Sequence, residues 1–64
     1  PMNKVEINTF IEEMEAFGDV WEPADVERVY KGMTLEEALN NRRLEMYTFA
    51  DIIGKVYNRK STSE

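Results

Sequence analysis

Recognition chemistry in this sequence is concentrated in arginines, acids and a few aromatics. Arg42 and Arg43 stand side by side, and guanidinium groups placed so can anchor a carboxylate or phosphate through paired N–H donors. Acids gather at Glu12, Glu13 and Glu15, across 19–27, and at Glu36 and Glu37. Paired carboxylates are raw material for acid–base catalysis. Adjacent helical residues, however, diverge by about 100°, so Glu12-Glu13 and Glu36-Glu37 do not form facing pairs. The second pair suits the opening turn of a helix instead. The acids from Asp19 to Glu27 lack the Asp-x-Asp-x-Asp-Gly order of a calcium loop, and nothing resembles a glycine-rich phosphate cradle. The chain has no His and no Cys. Disulfides, thiolate or imidazole metal ligands, and Cys or His catalysis are therefore excluded. No catalytic, cofactor-binding or metal-ligating residue is assigned, and the chain is not expected to be an enzyme.

Binding by surface contact remains. Trp21 reads either as a staple closing a small core or as an exposed aromatic hot spot. Tyr30 and Tyr57 are ambiguous in the same way, whereas Tyr47 falls at the edge of a polar face and is expected to be exposed. Arg42 lands in the middle of an apolar helix face, where a guanidinium is costly unless a carboxylate meets it. It is either paired within the bundle or an anchor, with Arg43, for a partner's acid or phosphate. Trp21, Arg42, Arg43 and Tyr47 are the candidate partner-binding residues.

The elements that must position them read as helices. Ile7, Phe10, Ile11, Met14 and Phe17 recur at spacings of three and four, which predicts a helix over 4–17. Asn3 and Glu6 have the form of a capping box, and Gly18 that of a left-handed terminator. Pro23 opens a second, short helix reaching Lys31, with Trp21 and Val26 at staple spacing, Val26, Val29 and Tyr30 on one side, and Gly32 at its end. Thr34 and Glu37 form a second capping box. After it, Leu35, Ala38, Leu39, Met46, Phe49, Ile52, Ile53 and Val56 share one face if a single helix runs to Tyr57. Such a rod would be about 35 Å long, against about 28 Å across a compact chain of this size. The sequence therefore predicts a break or bend near Asn40–Arg43, followed by a central helix from Leu44 to Asn58; the alternative is a rod projecting onto another protomer. All three glycines read as helix ends or close packing.

With 64 residues, 42% of them apolar, the chain is expected to form one soluble domain. The expected fold is an all-α compact bundle of three or four helices over 2–58, with a frayed tail at 59–64. Pro1 before Met2 has the form of a cloning remnant, so Met2 is the expected natural start. No apolar run reaches the roughly 18 residues of a membrane span and no signal peptide is recognisable, so the cytoplasm is the expected compartment. So short a chain buries only about 60% of its unfolded surface. Homodimerisation would remedy that, and a homodimer and a monomer both stay open.

Residues 1–27 carry one base against eight acids, a net of −7, and residues 28–64 seven bases against five acids, a net of +2. This asymmetry fits either solvated helix faces or steering toward a basic partner or a second copy. The helices flanking Gly32 superficially resemble a helix-turn-helix. Glu36 and Glu37, however, would meet phosphates, and Arg28 sits four before the glycine, where close packing wants a small residue. DNA binding through Arg42, Arg43, Lys55, Arg59 and Lys60 is thus the alternative, and an acidic nucleic-acid mimic using Glu12 and Glu15 a further one.

Three stretches carry a family resemblance: Thr9-Phe10-Ile11-Glu12-Glu13-Met14-Glu15; Gly18-Asp19-Val20-Trp21 leading into Val26-Glu27-Arg28-Val29-Tyr30; and Thr34-Leu35-Glu36-Glu37-Ala38-Leu39 with Arg42. Together they resemble small acidic helical proteins of Gram-positive conjugative and mobile elements. The resemblance covers most of the chain. It implies a bacterial cytoplasmic accessory protein and brings no activity or functional residues. The expected function is a non-enzymatic protein–protein interaction module, a small regulator or accessory factor.

Overall fold

The computed structural model of the chain describes the backbone of residues 1–62 and the side chains of residues 1–55. Three helices form in order, α1 (Lys4–Glu15), α2 (Pro23–Val29) and α3 (Leu35–Thr62), and no strand is present among the described residues. The fold is all-α. Helix α1 is the middle element, packing against both α2 and α3.

Local chemistry sets most boundaries. At the start of α1 the Asn3 Oδ1 accepts from the Glu6 N–H at 2.9 Å, while the Asn3 N–H donates to Glu6 Oε1 at 3.0 Å. This satisfies donors that the first helical turn leaves orphaned. The helix ends in a Schellman turn. The Asp19 N–H donates to the Met14 carbonyl and the Gly18 N–H to that of Glu15, with Gly18 at φ +78°. Phe17 therefore lies beyond the last helical turn and is 59% exposed, so it does not complete the buried stripe of Ile7, Phe10 and Met14 as expected. Pro23 opens α2, which ends at Val29 with Tyr30 as its C-cap, earlier than Lys31; Gly32 follows at φ +80°. Val26 is buried but Val29 is half-exposed, because the seven-residue α2 turns only a narrow face to α1.

Helix α3 opens on the Thr34–Glu37 capping box, with bonds of 3.0 and 3.2 Å, and continues through 28 residues without interruption. The break expected near Asn40–Arg43 does not occur. Asn40 and Asn41 are exposed, where each costs the helix only about 0.7 kcal/mol. Arg42, the residue that argued against one apolar face, is neutralised by a partner from the α1–α2 connection. The helix also runs past Asn58 to Thr62; Ser63 and Glu64 of the expected tail lie outside the described residues.

The core consists of Ile7, Phe10, Met14, Val26, Tyr30 and Ala38, flanked by Ile11, Trp21, Leu39 and Met46, among others. Among the described residues, Met46 is the last of α3 in that cluster. The compact bundle is thus α1, α2 and the first half of α3, and the distal half of α3 is not its central helix. The chain measures 51 × 18 × 16 Å with a radius of gyration of 15.0 Å, against about 11 Å for a sphere-like chain of this length.

Candidate functional site

Asp19 holds the join between the bundle and the projecting helix. The Schellman turn carries its carboxylate toward α3, where Arg42 Nε donates to Oδ2 at 2.7 Å and Nη2 to Oδ1 at 3.0 Å. This is a two-point fork in which both side chains are about one-fifth exposed. The Trp21 indole N–H donates to the same Oδ2 at 2.8 Å, and the guanidinium carbon lies 5.1 Å from the Trp21 ring centroid. Arg42 Nη1 also reaches Glu45 at 3.1 Å. The Arg42 bonds hold the Asp19 carboxyl below the usual carboxylate range, outweighing its burial, and Asp19 in turn holds the guanidinium proton more tightly. Trp21 meets Phe10 edge-on at 5.5 Å and Tyr30 at 5.6 Å. Burial pushes the Tyr30 hydroxyl up, with the nearby Glu45 adding to the effect.

Of the four candidates from sequence, the structure brings Trp21 and Arg42 together and turns both inward. Arg43 contacts Glu13 at 3.5 Å across the α1–α3 join. Tyr47 is 70% exposed and shares a shallow notch with Phe17, Arg43 and Met46. Arg42 and Arg43, two of the groups on which DNA binding would rely, are thus engaged with carboxylates, while the side chains of Arg59 and Lys60 lie outside the described residues. Lys55 pairs with Asp51 at 3.2 Å, and Glu37, in its cap, is held ionised below its ordinary range by the Thr34 N–H. Among the described residues no group of acids is placed to hold a metal ion, and no helix is long and apolar enough to cross a membrane.

The feature assigned to the core from sequence, and found outside it, is the face from Phe49 to Ile53; Val56, expected on the same face, and Tyr57 lie outside the described side chains. Phe49, Ile52 and Ile53 are 55%, 51% and 68% exposed. At 100° per residue, Phe49 and Ile53 stand in line with Ala38, Arg42 and Met46, so this is the stripe the bundle covers earlier in the same helix. Leu44 and Tyr47, also exposed, turn away from it. The warning was present in the sequence as the excess of rod length over bundle diameter. Asp19 as the partner of Arg42 had no comparable signal.

Comparison with protein-family models, characterised proteins and solved structures finds no match to this chain.

Proposed function

We propose that the protein is a non-enzymatic interaction module, a small cytoplasmic regulator or accessory factor that offers the projecting half of α3 to another protein. The observation carrying this reading is the exposure of Phe49, Ile52 and Ile53 on a stripe whose earlier residues are buried or half-buried. Beyond Met46 the helix has 16 residues to Thr62, close to the length at which an isolated helix is marginal in water. A protein partner would cover the apolar face and stabilise the helix in one step. The resemblance to accessory proteins of mobile elements agrees with such a role and adds no residue to it. The arginine-based DNA reading is weaker, because Arg42 and Arg43 would have to leave Asp19, Glu45 and Glu13 to meet phosphate.

A photo-cross-linking residue at Ile52, compared in cells with one at the more exposed Val5, tests the reading. Protein adducts at Ile52 and not at Val5 are expected. Absence of any protein adduct at Ile52 overturns it.

A further inference from the structure

Leu35, Leu39, Arg42, Met46, Phe49, Ile53 and Val56 follow one another at alternating spacings of four and three. That is the 3.5-residue repeat of a helix seam that packs against another helix. As far as Met46, α1 and its connection to α2 fill the seam, with Asp19 meeting the one charged member. From Phe49 onward the described side chains of the seam are bare, and Ile52 widens it. The Asp51–Lys55 pair sits on the opposite side of the helix, so the described part of the bare seam carries no charge. An occupant therefore needs an apolar helical stripe of matching length.

We propose that the occupant is a second copy of this chain, its α3 lying antiparallel across the distal half of the first. The proposal rests on the reading of this face as an interaction surface and names its partner. The charge distribution selects both the copy and its direction. The Glu13–Arg43 and Asp19–Arg42 contacts fix the end of α1 level with the point where α3 leaves the bundle. That end carries Glu12, Glu13 and Glu15 and has no base in its last turn. With Lys55 balanced by Asp51, the sequence of the departing helix turns basic in its last turns, at Arg59 and Lys60. Antiparallel packing brings the basic turns of each chain toward the acidic end of the other's bundle. Parallel packing would set two segments of net −7 side by side, which is unfavourable. A twofold axis across the distal half makes the contact self-complementary and closed, so it ends at a dimer.

Light scattering of the purified full chain across a concentration series, paired with solution X-ray scattering, tests this. The expected mass is twice the 7.5 kDa of one chain, and the expected longest dimension clearly exceeds the 51 Å of one chain. Phe49→Glu with Ile53→Glu should return the mass to one chain while Trp21 fluorescence stays native, showing that the bundle is intact. A single-chain mass at every concentration overturns the proposal, as does a dimer that survives the double substitution or one no longer than a single chain. If the mass is that of one chain while Ile52 still cross-links to a different protein, self-association falls and the interaction reading stands.

Discussion

Arg42 shows how a costly residue becomes structural. Its guanidinium would oppose burial of the α3 stripe, but the Asp19 fork and the Trp21 face turn it into a clamp between the α1–α2 connection and α3. Asp19→Ala removes both fork bonds and the indole acceptor. It is expected to cost about 2 kcal/mol, read as a lower thermal midpoint. The same carboxylate gives stability a pH dependence. Its folded-state pKa lies below the ordinary 3.8, so the clamp contributes fully at neutral pH and is lost as pH falls through that lower folded value. In Asp19→Asn this acid limb should flatten in melts taken across the acid range. The oddity of Arg42 was legible from its place on an apolar face. Its partner was not, because the two lie 23 positions apart and periodicity reports only what happens along one element.

Helix starts were the readable part of the elements, since Asn3–Glu6, Pro23 and Thr34–Glu37 act through bonds or backbone constraints spanning three or four residues. Ends and continuity depended on surroundings. Phe17 keeps the spacing of the α1 stripe, yet the Schellman turn takes it out of the helix. Rod length and Arg42 argued for a break near Asn40–Arg43, yet α3 is unbroken there and Asn40 and Asn41 are exposed. Gly54 was expected at a helix end or a close approach and is neither; a Cβ built there meets nothing within 4 Å. Gly54→Ala should therefore raise the helical signal and stabilise α3 by about 0.5–1 kcal/mol, measured by circular dichroism on heating. A loss of stability would mean that something approaches this turn closely.

At the scale of the whole molecule, one fold contains two regimes. The bundle end closes around Phe10, Met14 and Val26, all fully buried, while Phe49, Ile52 and Ile53, further along α3, stand exposed. Composition could not reveal this division, because an apolar residue destined for a core and one destined for an interface are the same residue. Only the rod's length against the bundle's width hinted at it. In dilute solution the far end should unravel at lower temperature than the bundle, as expected where apolar contacts are few. The chain has a single tryptophan, and it stands against Arg42 at the hinge between the regimes. Its emission therefore watches one half of the protein while far-ultraviolet ellipticity, dominated by the long helix, watches the other. The two traces should separate on heating in dilute solution and merge once the bare seam is covered, giving an intrinsic optical gauge of occupancy without any added label.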